Sequence, residues 1–517
     1  MYLGLDSSTQ SLSAMVIQPE SGRIITQVSI NFGNDLPQYG SPSGFIPEGE
    51  NGEVHAAPRM WLEAMDLLFQ RLSSETDLST IRLVAGSGQQ HGSVYLDATF
   101  PERIAALDAS FSLNDLVSPA LTRRTSPIWM DTSTSTECAE ITNAAGGSGE
   151  VCRRSGSVAI ERFTGPQIRR FSKKDPSAYS VTARIHLVSS FLASVLAGKE
   201  AEIDHGDGAG MNLLNLATLQ WDETLADATA ADLLKKLPGT APATRIIGTI
   251  SPYFVQKYGF SPQCRCAHFT GDNPASLVGM GATTPGNVVI SLGTSDTYFA
   301  AMPEARTDPQ GFGHVFGNPL GGYMSLICFR NGSLAREALR DQLGLDWSAF
   351  DQPALEKTLD QAGKNLMLPF FGPEITPRGD IQQPALRGNE DFLSGQVPGL
   401  RVRALLEGQF LNMRLHSRWL NVSTDRLLLT GGASRNNGIA QIAADVFQAP
   451  VERLEISNSA ALGAAIIAAI ADGGSAIELQ ETFCRPSAGS KLMPNRDLAA
   501  TYSEALEGFS SLLAEAL

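Results

Sequence analysis

The chain of 517 residues is 43% apolar and 18% charged, with a formal net charge of −15 at pH 7. This composition is typical of a folded protein, and the length exceeds one ordinary core, so two large domains or about three smaller ones are expected. The negative charge argues against nucleic acid or a membrane as a partner, because both are normally bound through clusters of Lys and Arg. A small, neutral substrate suits such a surface better.

The sequence also favours a cytoplasmic protein. Met1–Asp6 has the pattern of a first β-strand rather than of a secretory signal. The apolar, Ala-rich stretch Ala460–Ala471 is shorter than the roughly 20 residues of a membrane-spanning helix and predicts a buried helix instead. Six cysteines without an export signal predict free thiols. The spacing of Cys264, Cys266 and His268 is not that of a zinc site.

The first hundred residues predict a meander, a helix and a further strand. Residues 2–5, 12–18 and 23–32 are rich in strand-forming residues and are separated by turn residues, which is typical of antiparallel strands. After Pro58, apolar side chains from Trp61 to Leu72 recur at helical spacing, and residues 81–85 predict the next strand. This order indicates an α/β domain.

A similar unit returns in the second half of the chain. Val288–Leu292 predicts a strand, residues 293–297 a turn and residues 298–301 a second strand, while Arg426–Thr430 predicts a strand that leads through a glycine turn into a helix. The repetition suggests duplicated domains that face one cleft, although an echo of this length also arises by chance. We place the boundary near Thr249–Pro252, which gives domains of residues 1–250 and 251–517.

Two turns have the composition of phosphate-binding loops. The sequence lacks a P-loop or Rossmann glycine motif between a strand and a helix. The turns at residues 6–9 and 293–297 consist of small and hydroxyl-bearing residues, which let backbone N–H groups approach phosphate oxygens. Taken alone, such residues more often form an ordinary hairpin turn than a phosphate site.

Five groups of residues follow one another along the chain: Gly4–Thr9, Gly88–Gly92, Asp207–Asn212, Thr270–Pro274 with Ser291–Asp296, and Thr430–Asn436. Together they resemble the FGGY-type family of carbohydrate kinases, which includes xylulokinases, glycerol kinases and gluconate kinases. The resemblance implies an α/β fold of two ribonuclease H-like domains, as in actin and hexokinase, around an interdomain cleft. It also implies ATP and Mg²⁺ as cofactors.

The resemblance implies a role for each matching residue of the catalytic and sugar sites. Asp207 is expected to be the general base that takes the proton of the sugar hydroxyl, and Asp6 is expected to position Mg²⁺. The expected sugar-binding residues are His91, Arg162, Asp272 and Asn273, which offer both hydrogen-bond donors and acceptors. Judged without the family, Asp207 fits a turn, His91 a buried core position and Arg162 a surface ion pair.

The resemblance also implies the ATP-binding residues. Those expected at the phosphates are Ser8, Thr9, Gly293 and Thr294. Those expected at the adenosine are Gly432, Ala433 and Asn436, where small residues before a helix permit close approach. Trp347 matches a tryptophan that contacts the nucleotide, and a core position on an amphipathic helix is the alternative.

One position departs from the family pattern. The first phosphate motif of this family usually carries Lys or Arg four residues after its Thr, and here that position is Ser13. The departure leaves less positive charge near the phosphates.

Within the family, Gly88–Gly92 and Phe269–Leu277 are most similar to the xylulokinases of the type also found in animals. This similarity implies phosphorylation of D-xylulose to D-xylulose 5-phosphate, with a ketose and ATP as partners of a monomer or homodimer. Two alternatives remain open. One is a kinase for another ketose or polyol, such as ribulose or glycerol, and the other is a noncatalytic actin-like nucleotide switch.

Overall fold

The computed structural model describes residues 1–47, 49–351, 355, 359–456 and 458–517. The strands, in chain order, are β1 (Tyr2–Ser7), β2 (Ser11–Gln18), β3 (Arg23–Asn31), β4 (His55–Ala56), β5 (Leu83–Gly88), β6 (Ser93–Leu96), β7 (Ser126–Pro127), β8 (Arg184–Leu187), β9 (Ile203–Asp204), β10 (Leu214–Asn215), β11 (Gln220–Trp221), β12 (Thr240–Ala241), β13 (Ile246–Thr249), β14 (Arg265–Ala267), β15 (Thr270–Gly271), β16 (Asn287–Leu292), β17 (Asp296–Met302), β18 (His314–Gly317), β19 (Tyr323–Phe329), β20 (Leu366–Met367), β21 (Leu386–Arg387), β22 (Arg426–Thr430) and β23 (Val451–Arg453).

The α-helices, in chain order, are α1 (Phe32–Asp35), α2 (Pro58–Glu75), α3 (Phe100–Ala105), α4 (Leu113–Val117), α5 (Ser135–Ala144), α6 (Ser148–Ser155), α7 (Thr164–Lys174), α8 (Pro176–Val181), α9 (Val188–Ala197), α10 (His205–Ala209), α11 (Glu223–Thr229), α12 (Leu233–Lys236), α13 (Pro252–Tyr258), α14 (Asp272–Gly279), α15 (Ser333–Gln342), α16 (Trp347–Phe350), α17 (Glu390–Ser394), α18 (Pro398–His416), α19 (Asn437–Phe447), α20 (Ser459–Ala471), α21 (Ala476–Phe483) and α22 (Ala499–Ala516). Within the described residues, no helix combines the length and the apolar character that a membrane crossing requires.

The first sheet has the strand order β13-β14-β5-β1-β2-β3. Strands β1, β2 and β3 form an antiparallel meander, and β5 lies parallel to β1. Helix α2 begins at Pro58, and a proline in the first turn of a helix costs no hydrogen bond. The buried side chains of α2 pack in the same core as this sheet. The predicted meander, helix and following strand are therefore confirmed.

The second sheet repeats this arrangement with the strand order β18-β19-β17-β16-β22-β23. Strands β16, β17 and β19 form an antiparallel meander, and β22 lies parallel to β16. The strand pair that was predicted in the second half, the later strand and the helix after its glycine turn are all present as β16, β17, β22 and α19. Both sheets thus contain an antiparallel meander and a further strand parallel to its first strand, which is the predicted repetition.

Helices α14 and α20 lie against each other beside the first sheet. The apolar side chains of α20 share a core with β1 and β5, so the predicted buried helix is confirmed. The two backbones touch at glycines, since a Cβ added to Gly463 would stand 1.8 Å from the Ala275 carbonyl oxygen, and one added to Gly279 would stand 2.0 Å from that of Ser459. Only glycine allows such close contact.

The first sheet continues beyond the predicted domain boundary at residues 250 and 251. Strand β13 ends at Thr249, yet its antiparallel partner β14 follows at Arg265–Ala267, and β15 pairs with β5. The chain changes from the first sheet to the second between Gly271 and Asn287. The limits of the two domains themselves stay a prediction.

Replacing Gly463 with Ala should lower the free energy of unfolding by about 1–3 kcal/mol, because the new methyl group would overlap the Ala275 backbone rather than a movable side chain. Thermal or urea unfolding measures the effect. Gly149→Ala is the matched control, since this helical glycine has open space around its Cβ position and should give unchanged or slightly higher stability. Equal stability of both variants would contradict the tight contact between α14 and α20.

Candidate functional site

Asp207 is a fully buried carboxylate on the short helix α10. The Asp204 side chain accepts hydrogen bonds from the backbone N–H groups of Gly206 and Asp207, at 2.8 and 3.2 Å, and so fixes the start of this helix. Ser189 Oγ, on α9, donates to Asp207 Oδ2 at 2.5 Å. Asp207 Oδ1 has no hydrogen-bond partner within the described chain. One oxygen of the carboxylate is therefore held, and the other is available to a ligand.

The surroundings of Asp207 favour its protonated form. Burial is the largest cause and raises its pKa well above the usual range, and the negative charges of Asp204 and Asp272 act in the same direction. The hydrogen bond from Ser189 opposes the shift. A carboxylate in such a place takes up a proton more readily than one in water, which is a property of a general base.

Asp272 and Asn273 stand together at the beginning of α14. Asn273 Nδ2 donates to Gln90 Oε1 at 2.8 Å and to Asp272 Oδ1 at 3.1 Å. Burial, helped by the charge of Asp6, raises the pKa of Asp272 to about 7. Gln90 was not predicted as a site residue, although its position beside His91 in Gly88–Gly92 could have indicated it.

His91 is neutral and fixed in one tautomer. Its Nδ1 lies 2.7 Å from the carbonyl oxygen of Gly210, and because a carbonyl can only accept, Nδ1 donates and Nε2 is left as an acceptor. Burial, with the charge of Arg162, lowers the pKa of His91 to about 3. The ring stacks on Phe163 with 4.2 Å between ring centroids. The imidazole thus offers an unprotonated nitrogen without adding charge.

Arg162 is half-buried and, within the described chain, has no carboxylate within ion-pair distance, so the alternative of a surface ion pair is wrong. Its guanidinium lies 5.7 Å from the centroid of the Phe163 ring, and Nη2 lies 3.3 Å from Nε2 of His314. Because guanidinium only donates, His314 Nε2 accepts, and its Nδ1 donates to Ser157 Oγ at 3.1 Å.

His314 is a site residue that the sequence did not reveal. Burial, together with the charge of Arg162, lowers its pKa well below the usual value. It is carried by β18 of the second sheet, whereas Arg162 lies in the first half of the chain. No motif surrounds His314, so only the fold brings the two side chains together.

The first predicted phosphate turn follows β1. Asp6 Oδ1 accepts from Ser87 Oγ at 2.7 Å, the backbone N–H of Ser8 donates to the Ser11 carbonyl at 2.9 Å, and Thr9 Oγ1 accepts from the Trp129 indole at 2.8 Å. Burial raises the pKa of Asp6 to about 6.

The carboxylates of Asp6 and Asp272 lie close enough to repel, and the described residues contain no group of three or more typical metal ligands. Such a pair fits Mg²⁺, which binds through one or two carboxylates, waters and substrate phosphates.

Ser13, the position of the expected basic residue, lies opposite Asp6 in the β1–β2 register. It is buried, and its hydroxyl pairs with that of Ser29 at 3.0 Å. The structure therefore places an uncharged side chain where the family pattern has a basic one.

The second predicted phosphate turn connects β16 and β17. Its shape is held by a buried ion pair, in which Arg336 lies 3.1 Å from Asp296 while Asp296 Oδ1 accepts from the Gly293 N–H at 3.1 Å. Thr294 is exposed at the tip. The turn is thus fixed at its base and open to a ligand at its tip.

The predicted adenosine-binding residues line one cavity of about 600 Å³. They are Trp347, Gly432, Ala433 and Asn436. Asn436 caps α19 by accepting from the N–H groups of Gly438 and Ile439. Trp347 is 43% exposed beside Arg340, so its alternative position in the core is wrong. A larger cavity of about 740 Å³, near Asp66 and Lys257, contains none of the predicted site residues.

Comparison with known proteins gives one consistent family. Residues 124–279 match the N-terminal domain, and residues 288–471 the C-terminal domain, of the FGGY family of carbohydrate kinases. The chain is similar to xylulose kinase 2 of Arabidopsis thaliana, with 40% identity over 91% of this chain and 87% of that protein. It is also similar to the xylulose kinase of Rattus norvegicus, with 38% identity over 99% of this chain and 96% of that protein.

The crystal structure of xylulose kinase from Rhodospirillum rubrum matches the fold with a TM-score of 0.83, at 20% identity over 99% of this chain and 98% of that one. The expected two-domain fold of the ribonuclease H-like sugar kinases is therefore confirmed. The two family matches meet between residues 279 and 288, close to the place where the chain changes sheets.

Replacing Asp207 with Asn should increase the free energy of unfolding at neutral pH by about 1–2 kcal/mol, because it removes a carboxyl group whose ionisation is opposed by burial and by two other carboxylates. The folded-state pKa is raised, so the cost to stability is full above the folded-state pKa, shrinks as pH falls below it and is gone below the unfolded-state pKa. The gain should therefore shrink in acid. Thermal unfolding at several pH values measures it.

Asp222→Asn is the matched control. Asp222 is also buried, but Arg154 lies 3.1 Å away and the folded-state pKa is lowered, so this substitution should reduce stability at neutral pH. A loss of stability in both variants would contradict the strained state of Asp207.

Proposed function

The chain belongs to the FGGY family of carbohydrate kinases and is an ATP-dependent sugar kinase, and we propose that its sugar is D-xylulose. The observation that carries the mechanism is the unpartnered Oδ1 of the buried Asp207. The observation that supports the sugar is the similarity over nearly the whole chain to proteins named xylulose kinase.

The proposed sugar site offers both kinds of hydrogen-bonding group that a ketose requires. The Arg162 guanidinium donates, whereas Nε2 of His91 and the amide oxygen of Asn273 accept, since the two N–H groups of that amide already donate to Gln90 and Asp272. The ring of Phe163 stacks on His91 and also lies beneath the guanidinium of Arg162. The site can thus orient a carbonyl and several hydroxyls at once.

In the proposed reaction, the hydroxyl oxygen on C5 of D-xylulose forms a bond to the γ-phosphorus of ATP. The bond from that phosphorus to the oxygen that bridges the β- and γ-phosphates breaks, and ADP leaves with the electron pair. The hydroxyl proton goes to Oδ1 of Asp207, while Ser189 keeps Oδ2 in place.

We place ATP with its adenosine in the cavity beside Trp347 and Asn436 and its phosphates toward the turns at Ser8–Thr9 and Gly293–Thr294. Asp6 would hold Mg²⁺, which when bound neutralises charge on the phosphates. Contact between Arg162 and His314 joins the two halves of the chain at the sugar site, and closure there would exclude water that competes with the sugar for the phosphate. A cytoplasmic location and a monomeric or homodimeric state remain part of this proposal.

The alternatives weighed from the sequence rank below D-xylulose. The noncatalytic switch is not favoured, because the similar proteins carry the names of kinases. Ribulose, glycerol and other polyols differ from D-xylulose in the configuration or number of hydroxyls, so the sugar is decided by small differences in pocket geometry.

ADP release from purified protein with Mg·ATP should be stimulated by D-xylulose far more than by ribulose, fructose, glycerol or xylitol. Asp207→Asn should reduce this turnover by about 10²–10⁴-fold, the usual contribution of a general base, with ATP binding nearly unchanged. Stimulation by a different sugar alone would reject D-xylulose and keep the kinase. Turnover that survives in Asp207→Asn would reject the mechanism.

Ser189→Ala should reduce kcat at pH 7 by about 10-fold and move the acid limb of the pH profile to higher pH. The substitution removes the hydrogen bond that favours the charged carboxylate, so the pKa of Asp207 rises, and the base must be unprotonated to act. Steady-state kinetics between pH 5 and pH 9 tests this. Ser194→Ala is the matched control, because Ser194 is a buried serine of the same helix whose hydroxyl donates to the Ser190 carbonyl. This variant should keep the original pH profile. An equal shift in both variants would argue against a specific role for Ser189.

A further inference from the structure

The positive charge of Arg336 at the second phosphate turn is balanced by its buried ion pair with Asp296. Ser13 is neutral and is occupied by its contact with Ser29. Three carboxylates, Asp6, Asp207 and Asp272, lie in the same region, because the charge of Asp272 acts on Asp207 and the charge of Asp6 acts on Asp272. Because a transferring phosphate carries several negative charges, efficient transfer calls for a cation besides Mg²⁺.

Arg330 lies at the edge of the second sheet that carries both ATP-binding turns. Strands β16 and β22 are parallel, and β17 runs antiparallel between β16 and β19, so the carboxyl ends of β16, β19 and β22 share one edge. The turn at Gly293–Thr294 follows β16, and Gly431–Gly432 follows β22. Arg330 follows β19 directly, about 10 Å across the sheet from the β16 axis. An arginine side chain can span most of that distance.

The backbone of Arg330 is anchored, whereas its guanidinium is free. Its N–H donates to Glu374 Oε1 at 2.6 Å, and three residues later the N–H of Ser333 donates to the carbonyl of Gly293 at 2.9 Å. The segment after β19 is therefore tied to the second phosphate turn. The Arg330 side chain is exposed and has no hydrogen-bond or ion-pair partner in the described part of the chain.

The face of β19 that carries Cys328 borders a small cavity beside α14 and α20. Cys328 pairs with Thr297, and Thr297 lines a small cavity with Ser291 of β16 and Ser459 of the helix α20. Arg330 is the first residue after β19 and follows Cys328 by two positions, the spacing at which residues of a strand share a face. Burial raises the pKa of the Cys328 thiol, and the charge of Arg162 opposes this increase. Cys328 therefore lies near Arg162 and the proposed sugar site.

We propose that Arg330 binds the terminal phosphates of ATP and supplies the positive charge that a basic residue at position 13 supplies elsewhere in the family. This inference rests on the proposed function, because it assigns a residue to the same phosphate site. The guanidinium is suited to this task, since its planar set of N–H donors matches phosphate oxygens and it always carries its charge.

The test compares Arg330→Ala and Arg330→Lys with the unmodified enzyme, in steady-state kinetics and in calorimetric binding of ATP and of adenosine. In Arg330→Ala, kcat/KM for ATP should fall about 10- to 100-fold, the loss that accompanies removal of a charge-assisted hydrogen bond. ATP binding should weaken while adenosine binding stays unchanged, and Arg330→Lys should recover part of the loss. Arg23→Ala is the matched control, because Arg23 is an exposed arginine on β3 with no partner in the described chain.

Unchanged ATP binding in Arg330→Ala, or equal weakening of ATP and adenosine, would overturn the proposal. The binding measurements need no sugar, so they separate this inference from the proposed function. A protein that binds ATP through Arg330 but phosphorylates no sugar would refute the function and support the assignment of Arg330. A protein that phosphorylates D-xylulose and whose ATP binding is unchanged in Arg330→Ala would support the proposed function and refute the assignment of Arg330.

Discussion

The position of the whole site depends on backbone contact between α14 and α20. Gly279 and Gly463 let these helices meet without side chains between them, and Gly4 lets β1 approach α20 in the same way, since a Cβ there would stand 2.1 Å from the Ala461 carbonyl. Helix α14 begins with Asp272, and β1 contains Asp6. Their separation, and with it the geometry of the predicted metal and sugar groups, is therefore set by three glycines in the core.

The carboxylates that this packing brings together oppose folding. Asp204, Asp207 and Asp272 are held in surroundings that raise the pKa of each, mainly by burial. In the proposed mechanism this strain has a use, because a carboxylate with a raised pKa and one fixed oxygen is prepared to accept a proton. Burial of apolar side chains in the cores around the two sheets offsets the cost.

The sequence predicted the elements whose pattern is local. The meander β1–β3 and helix α2 follow from periodicity and turn residues, and the buried helix α20 follows from a continuous apolar stretch. The grouping of Trp347 with Gly432 and Asn436 was implied by the family resemblance. Long-range placement was not accessible in this way. His314 is an isolated histidine in the sequence, and the continuation of the first sheet through β14 and β15 depends on pairing with β5, which no local pattern encodes. Ser189 likewise becomes meaningful only when α9 is packed beside α10.

The two histidines explain how the proposed sugar site combines polarity with little charge. His91 and His314 are both buried near Arg162, and protonation of either would place a second cation against the guanidinium. Each ring instead donates from Nδ1 to a protein oxygen and keeps Nε2 as an acceptor, and Nε2 of His314 lies against Arg162. Arg162 is therefore aligned although none of the described residues gives it a carboxylate partner. A carboxylate in that place would neutralise the guanidinium and compete with a sugar carbonyl for its N–H groups, whereas a neutral imidazole orients the guanidinium and leaves its charge available to the substrate.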